Sequence, residues 1–269
     1  MSGSKLRIAL CQINSTDDPG HNLAQISDWV LRAAARGARV VVFPEATMVS
    51  FGSPLADHAE PLDGPWADAV AEMADEHNLL VVAGMFTPAG DRIRNTVLVT
   101  GLGHHRGYHK IHLYDAFGHR ESAAVEPGTE QLTVTVDDVV LGVAICYDVR
   151  FPLLFQQLAD RGADAVLLPT CWGAGPGKLE QWEVLVRARA LDSGCWILGC
   201  DQADPDATGL SVNPKVPSGI GCSVAVDPLG RVAHRLGAEP GLLVTEIDHD
   251  SVIRARAATG VLANRVPLG

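Results

Sequence analysis

The sequence lacks any hydrophobic segment long enough to cross a membrane. None of its apolar runs reaches the ~18 residues that a transmembrane helix needs. Residues 1–7 lead directly into an alternating strand pattern, without the apolar stretch and small-residue cleavage site of a signal peptide. We therefore expect a cytoplasmic protein without a membrane partner.

Positive charge is also scarce. The chain has 21 Lys and Arg against 32 Asp and Glu, which gives a formal net charge of −11. Nucleic acids and anionic membrane surfaces attract basic patches, so this balance argues against both as main partners. The lysines are Lys5, Lys110, Lys178 and Lys215 alone, which makes any lysine in a pocket-like context informative.

Cysteine pairs at metal-binding or redox spacing are missing as well. The six cysteines, at positions 11, 146, 171, 195, 200 and 222, form no C-x-x-C motif, and we expect them to be reduced thiols. No linker or low-complexity stretch divides the chain, so residues 1–269 are predicted to form a single domain. A chain of this length can bury about three quarters of its unfolded surface, so we expect no stabilising metal, cofactor or disulfide.

What the sequence does contain is an alternation of short β-rich runs and amphipathic helical stretches. Strands are predicted at residues 6–13, 39–43, 79–86, 95–100, 105–109, 131–136, 139–145, 165–168, 195–200, 221–226, 231–234 and 242–247. Helices are predicted at residues 21–36, 65–78, 152–161, 179–193 and 248–257. This order indicates an α/β protein with mixed sheets covered by helices, and its two similar halves suggest two sheets packed together.

Three of the predicted strands end at a reactive side chain. The second strand leads to Glu45, the fifth to Lys110 and the seventh to Cys146. Ligand sites in open α/β sheets lie beyond the carboxyl ends of strands. We therefore predict that an acid, an amine and a thiol converge on one pocket.

These groups suit the cleavage of an amide by a thiol. A carboxylate can accept the thiol proton and return it to the departing amine, while an ammonium favours the thiolate. The charge on the tetrahedral oxygen would be received by Lys110 and by the backbone N–H of Tyr147. Glu121 is the candidate for a second carboxylate that positions the lysine and handles the hydrolytic water.

Three motifs together resemble those of the nitrilase superfamily of carbon–nitrogen hydrolases. They are VFPEA at residues 42–46, YHKIHLYD at 108–115 and GVAICYDVRFP at 142–152. The resemblance spans nearly the whole chain and implies a four-layer α-β-β-α sandwich with two mixed β-sheets. It also implies a triad of Glu45, Lys110 and Cys146, with Glu121 as a further active-site glutamate, and a homodimer or larger homo-oligomer.

The residues around the cysteine resemble one branch of that superfamily. True nitrilases typically have Cys-Trp-Glu, whereas this chain has Cys146-Tyr-Asp, which argues against a nitrile substrate. This motif and WEVLVRARA at residues 182–190 are similar to the Nit-type ω-amidases and deaminated-glutathione amidases. The resemblance implies a small amide that carries a carboxylate, a thioester acyl-enzyme, and release of ammonia or an amine.

A carboxylate-bearing substrate needs a basic group in the pocket. Arg150 and Arg187 are the arginines considered for it, although an ion pair between Asp148 and Arg150 is the preferred interpretation. The candidate pocket residues are Tyr114, Arg150, Cys171 and Trp172.

Three segments depart from the branch pattern. The stretch between Lys110 and Glu121 is shorter than usual, Gly221-Cys-Ser replaces Gly-His-Ser, and residues 172–178 are modified. Because such loops border the pocket, the sequence does not name the substrate or a role for Cys171 and Cys222.

Three other functions are considered. A metal hydrolase would use the clustered residues His104, His105, His109 and His112, which lack a partner at established spacing, so no metal is predicted. A non-catalytic binding protein would keep the fold but leave the thiol at position 146 no more reactive than the other five. An N-carbamoyl amino-acid amidohydrolase would use the same triad on a different substrate.

Overall fold

Two six-stranded sheets form the centre of the protein, which a computed structural model describes over residues 5–266. The strands are β1 (Lys5–Gln12), β2 (Val40–Val42), β3 (Leu80–Ala89), β4 (Arg92–Gly101), β5 (His104–His109), β6 (Thr133–Val136), β7 (Val139–Val143), β8 (Ala165–Thr170), β9 (Trp196–Asp201), β10 (Val224–Val226), β11 (Val232–Arg235) and β12 (Gly241–Asp248). Their order is β12-β1-β2-β3-β4-β5 in the first sheet and β11-β10-β9-β8-β7-β6 in the second.

Both sheets are mixed and follow the same plan. Three consecutive strands run parallel at the centre of each sheet, namely β1-β2-β3 in the first and β7-β8-β9 in the second. The remaining strands pair antiparallel at the edges. Among the parallel strands, β2, β7 and most of β8 are runs rich in Val and Leu, as expected for strands that are buried on both faces.

Helices cover the outer faces of the two sheets. They are α1 (Pro19–Ala35), α2 (Leu55–His58), α3 (Pro65–Glu76), α4 (Pro152–Asp160), α5 (Lys178–Ser193), α6 (Pro205–Thr208) and α7 (His249–Thr259). Helices α1 and α3 pack on the first sheet through Ile26, Val30 and Val70, while α4 and α5 lie on the second. The inner faces meet in one core, where β1 contacts β9. The predicted four-layer α-β-β-α sandwich is confirmed.

The long helices and strands agree with the sequence prediction to within a few residues, and one difference occurs where residues have positive φ angles. The strand predicted at residues 221–226 begins only at Val224, because Gly221 and Cys222 have positive φ angles of 66° and 57°. Asp137 and Asp138, which separate two of the predicted strands, join β6 to β7 with positive φ at both residues, as in a tight hairpin. Within residues 5–266 no helix is long and apolar enough to cross a bilayer.

Candidate active site

Glu45 lies just beyond the end of β2, on a segment that crosses β3 at close range. Gly84 donates its N–H to Pro44 O at 3.1 Å, and its carbonyl accepts the N–H of Met48 at 2.8 Å. A Cβ atom at position 84 would lie 2.5 Å from Ala46 N and 2.7 Å from Pro44 O. The absence of a side chain in the middle of β3 is therefore what allows Glu45 to reach its position.

Lys110 follows β5 and is fixed through its own backbone. Its N–H donates to Asn95 O at 2.9 Å, and its carbonyl accepts the N–H of Gly128 at 2.8 Å. The side chain is 2% exposed and points into the protein. The backbone contacts place the ammonium between the two sheets rather than in solvent.

Cys146 occupies a sharp turn between β7 and a 3₁₀ turn at Cys146–Arg150. Its φ angle is +42°, in the left-handed region that a residue other than glycine adopts at an energetic cost. The buried Asp148 holds this turn by accepting hydrogen bonds from Ile145 N at 2.9 Å and from Tyr108 Oη at 2.8 Å. The same carboxylate accepts the N–H of His112 at 3.0 Å and so ties the turn to the lysine segment.

The acidic and basic groups form one buried cluster. Lys110 Nζ lies 2.8 Å from Glu45 Oε1 and 3.0 Å from Glu121 Oε2. Asn95 Nδ2 donates to both carboxylates, at 2.8 Å to Glu45 Oε1 and 2.9 Å to Glu121 Oε1. Two further donors complete the cluster, since Cys171 N donates to Glu45 Oε2 at 2.9 Å and Tyr114 N to Glu121 Oε2 at 2.6 Å.

Burial and neighbouring charges shift the pKa values of Glu45 and Glu121 in opposite directions. Burial raises the pKa of Glu45 above its usual range, and Lys110 offsets only part of that rise. Burial acts on Glu121 in the same direction, but Lys110 and the Tyr114 N–H outweigh it and hold the pKa of Glu121 below its usual value. Burial alone would lower the pKa of Lys110, yet the Glu121 and Glu45 carboxylates raise that pKa well above normal. Lys110 is thus a permanent cation and Glu45 is the group suited to exchange a proton.

The thiol of Cys146 is protonated in this arrangement. Burial and the neighbouring Glu45 carboxylate raise the pKa of Cys146 well above its usual value, against the opposing effect of Lys110. Its Sγ donates a long hydrogen bond of 3.7 Å to Cys171 O. A buried thiol of this kind needs a base before it can act as a nucleophile.

One cavity brings these groups together. The residues predicted to be catalytic, to stabilise the oxyanion or to line the pocket all lie on its wall, namely Glu45, Lys110, Tyr114, Glu121, Cys146, Tyr147, Arg150, Cys171 and Trp172. The sequence interpretation did not include the other lining residues, which are Phe51, His119, Gly173, Lys178 and Pro217. The roles of the nine predicted residues in a reaction stay predictions.

The comparison with known proteins identifies the family. The sequence model for "Carbon-nitrogen hydrolase" matches residues 7–257. The chain belongs to the carbon–nitrogen hydrolase family. This confirms the predicted enzyme class at the level of the family.

Individual members of the carbon–nitrogen hydrolase family are similar over nearly their full length. A hydrolase of Mycobacterium tuberculosis is 50% identical over 267 residues, which cover 97% of this chain and 95% of that one. Omega-amidase NIT2 of Mus musculus is 30% identical, with 97% and 95% covered. The crystal structure of Saccharomyces cerevisiae Nit3, a member of branch 10 of the nitrilase superfamily, superposes with a TM-score of 0.82 at 25% identity, with 96% and 97% covered. The predicted resemblance to the Nit-type branch of the nitrilase superfamily is confirmed.

In this carbon–nitrogen hydrolase, one predicted contact is wrong. Among the described residues no ion pair joins Arg150 to Asp148, because the aspartate faces inward to accept the hydrogen bonds of the cysteine turn. Arg150 instead runs along the cavity wall and donates to Gln181 Oε1 at 2.6 Å. Arg187 does not line the active-site cavity, and its Nε donates to Gly230 O at 2.9 Å. Of the two arginines, Arg150 alone is placed to meet a substrate.

The clustered histidines each have a different neighbour. His105 Nε2 lies 2.6 Å from Leu62 O, His109 Nδ1 lies 2.9 Å from Thr96 Oγ1, and His112 Nδ1 lies 2.7 Å from Asp148 Oδ1. His104 Nε2 lies 3.0 Å from Thr135 O. In the part of the chain that the structure describes, no three His, Cys, Asp or Glu side chains are grouped as metal ligands.

Three residues of the site were missed in the sequence. Asn95 interrupts an apolar strand at a position that shares its face with Val97 and Val99, so period-two alternation predicts that its amide is buried. Lys178 follows a glycine-rich segment after a strand end and is one of few lysines in an acidic chain. No local pattern indicates that Asp148 would hold the cysteine turn, because its partners are up to 40 residues away.

Proposed function

We propose that the protein hydrolyses the carbon–nitrogen bond of a small amide through a thioester on Cys146. The observation that carries this proposal is the buried cluster of Glu45, Lys110 and Glu121 at the same cavity as the thiol. Glu45 is the base, Lys110 is the cation, and Glu121 holds Lys110 in its charged form.

The first half of the reaction forms the acyl-enzyme. Glu45 accepts the proton of the Cys146 thiol as the sulfur attacks the amide carbon, and the former carbonyl oxygen becomes negatively charged. Lys110 stabilises that oxygen together with the backbone N–H of Tyr147, which lies in the first turn of a short helix where no partner is available inside the helix. The C–N bond then breaks as protonated Glu45 returns its proton to the departing ammonia or amine.

The second half consumes one water molecule. Glu45, ionised again, accepts a proton from water as the oxygen attacks the thioester carbon. The C–S bond breaks, the carboxylic acid is released, and the proton returns to the sulfur. Each turnover thus converts one amide and one water into one acid and one amine, with the enzyme unchanged.

The substrate that we propose is a small amide carrying a carboxylate, as expected for an enzyme related to an omega-amidase. Arg150, on the cavity wall, supplies the basic group that such a substrate requires. N-carbamoyl amino acids are the alternative substrates of the same triad.

An ammonia-release assay tests the reaction. The wild-type protein is screened against monoamides of short dicarboxylic acids, N-carbamoyl amino acids and aliphatic nitriles. Cys146→Ala is expected to lower kcat at least about 10⁴-fold without unfolding the protein, because it removes the nucleophile. Mass spectrometry of a stalled reaction is expected to find the acyl group on the peptide that contains Cys146.

The matched control is Cys195→Ala, which removes another buried thiol away from the cavity. It is expected to keep kcat within about twofold of the wild type. Near-normal ammonia release by Cys146→Ala would rule the mechanism out. A protein that turns over none of these compounds, and whose Cys146 is no more reactive than its other thiols, would be a binding protein on the same fold.

We also propose that the protein acts as a cytoplasmic homodimer. Helix α5 presents Val184 and Leu191 to the outside, with 65% and 46% of their surface exposed. Apolar side chains at this exposure on the outer layer of a sandwich suit a contact with a second copy of the chain.

A further inference from the structure

Two cations on the wall of the active-site cavity have no carboxylate partner. Lys178 is 9% exposed, and its Nζ lies 3.5 Å from Tyr114 Oη. The Nε atom of Arg150 is buried without a hydrogen-bond partner. Within residues 5–266, neither side chain takes part in an ion pair.

The surroundings of Lys178 are aromatic rather than acidic. Its Nζ lies 3.4 Å from the ring centre of Phe117, 5.7 Å from that of Tyr114 and 6.0 Å from that of Trp172. Such contacts attract a cation but do not neutralise it. Burial and the neighbouring Arg150 lower the pKa of Lys178 below its usual value. Two cations held side by side in this way favour an anion that lies between them.

The position of Lys178 on its helix adds to this excess of positive charge. Lys178 is the first residue of α5, where the helix dipole is positive and a cation is unfavourable. Among the lysine, arginine, aspartate and glutamate side chains described as lining the cavity, Lys110, Lys178 and Arg150 face two carboxylates, Glu45 and Glu121. One positive charge remains, and a ligand with a single carboxylate neutralises it.

The cavity also distinguishes the two halves of an amide. It borders a second cleft through Cys171, whose N–H donates to Glu45 Oε2. Hydroxyl and amide side chains line that cleft, of which Ser15, Thr16 and Ser50 are examples, and among its described lining residues Asp17 is the one that carries a charge. Glu45 returns its proton to the departing amine, so the amine leaves on this neutral-to-acidic side. The acyl half then extends along the wall that carries the cations.

We propose that Lys178, together with Arg150, binds a carboxylate on the acyl half of the substrate and thereby sets the substrate preference. This inference rests on the proposed function, and it makes monoamides of dicarboxylic acids better substrates than N-acyl amino acids such as N-butyrylglycine. In the latter the carboxylate belongs to the departing half and would lie on the side of Asp17.

The first test measures binding without turnover. Succinate and glutarate are titrated calorimetrically into Cys146→Ala and into the double variant Cys146→Ala/Lys178→Met. Methionine keeps the length of the lysine stem without its charge, so the Kd for these dicarboxylates is expected to rise roughly 10- to 100-fold. Adding Lys178→Arg to Cys146→Ala is expected to restore most of the affinity. The control is Lys215→Met in the same background. It removes an exposed lysine from the segment of residues 209–218, and it is expected to leave the Kd within twofold.

The second test measures preference in proteins with the cysteine intact. Succinamate, butyramide and N-butyrylglycine place a carboxylate on the acyl half, on neither half and on the amine half. We expect the wild type to prefer succinamate, and Lys178→Met to lose that preference because its KM for succinamate rises more than its KM for butyramide. Unchanged binding of both dicarboxylates in the Lys178→Met background, or no binding to Cys146→Ala, overturns the inference even if amides are hydrolysed. Absence of all three activities, with the binding effect of Lys178 intact, instead contradicts the proposed function.

Discussion

Glu45 and Glu121 contact the same ammonium, but their surroundings shift the pKa values of the two carboxyl groups in opposite directions. Glu121 accepts a short backbone hydrogen bond from Tyr114 N, whereas Glu45 lies deeper and has the neutral thiol beside it. Two like groups whose environments separate their pKa values are typical of an acid–base site. This separation supports the proposed roles of Glu45 in proton transfer and of Glu121 in charge stabilisation.

This assignment predicts the direction of a pH shift. Glu45 must be ionised to accept the thiol proton, so kcat/KM falls as pH drops through the pKa of Glu45. The negative charge of Glu121 is one of the causes that raise this pKa. In Glu121→Gln, the acid limb of the kcat/KM profile is therefore expected to move to lower pH, while kcat falls because Lys110 loses one carboxylate. The profile is measured with butyramide, which does not titrate.

The control for this prediction is Glu126→Gln, which removes a carboxylate that pairs with Arg92 at the surface. Its acid limb is expected to stay in place. A limb that moves to higher pH in Glu121→Gln would mean that Glu45 is not the group titrating there.

At the scale of the elements, the site is made of strand ends and of the turns that follow them. β2, β5 and β7 each lead to one member of the proposed triad, and each is followed by a segment with a fixed backbone. The cysteine turn is held by the carboxylate of Asp148, and the glutamate segment by the bare backbone of Gly84. Neither Asp148 nor Gly84 lines the cavity, so both act by holding the backbone of a neighbouring segment in place.

Gly84→Ala tests how closely the glutamate segment must approach β3. The new Cβ would lie under 3 Å from the backbone of Pro44, Glu45 and Ala46, so the segment has to shift. A shift of about 1 Å at a catalytic group is expected to lower kcat roughly 100-fold. Overpacking of this kind costs about 1–3 kcal/mol of the free energy of unfolding. Enzyme kinetics and urea unfolding measure the two effects.

Gly237→Ala is the matched control for this change. No atom lies within 4 Å of a Cβ built at Gly237, and its φ angle does not require glycine. Its kcat and unfolding midpoint are expected to equal those of the wild type. Full activity in Gly84→Ala would show that the glutamate segment tolerates displacement and that the close approach is not needed for catalysis.

At the scale of the whole molecule, the two outer helical layers differ in what they expose. Most of the surface of α1 and α3 is polar. Along one side of α5, by contrast, charged and apolar side chains alternate in a stripe formed by Glu180, Val184, Arg187 and Leu191. The stripe belongs to the same helix whose first residue is Lys178. A dimer formed through α5 would therefore hold in place the helix that carries the proposed carboxylate-binding lysine.

The proposed dimer predicts a particle of twice the 28.5 kDa chain mass. Val184→Lys/Leu191→Lys places two like charges on the stripe and is expected to yield monomers, since charged side chains are depleted in the core of an interface. Analytical ultracentrifugation measures the mass. The control Leu31→Lys replaces a side chain of α1 that is 59% exposed, and the dimer is expected to persist. A monomeric wild type, or equal dissociation in Leu31→Lys, contradicts the assignment of α5.

Much of this architecture could be predicted because the relevant signals are local. The apolar periodicity of residues such as Ile26 and Val30 is enough to predict α1, and the apolar run before Glu45 is enough to predict a buried strand. Boundaries failed where a positive φ angle broke the pattern, as at Gly221 and Cys222. The predicted ion pair of Arg150 failed because sequence proximity does not reveal which way two side chains point.

The sequence by itself determined the order of strands and helices, the three strand ends and the motifs that place the chain in its family. These properties depend on periodicity and on the identity of single residues, both of which are written along the chain. The tertiary structure alone decided that Glu45, Lys110 and Cys146 share one buried cavity, since they come from different strands. It also decided that Asn95 bridges two carboxylates and that Lys178 and Arg150 lack an acidic partner, because burial and charge pairing arise only when distant segments meet.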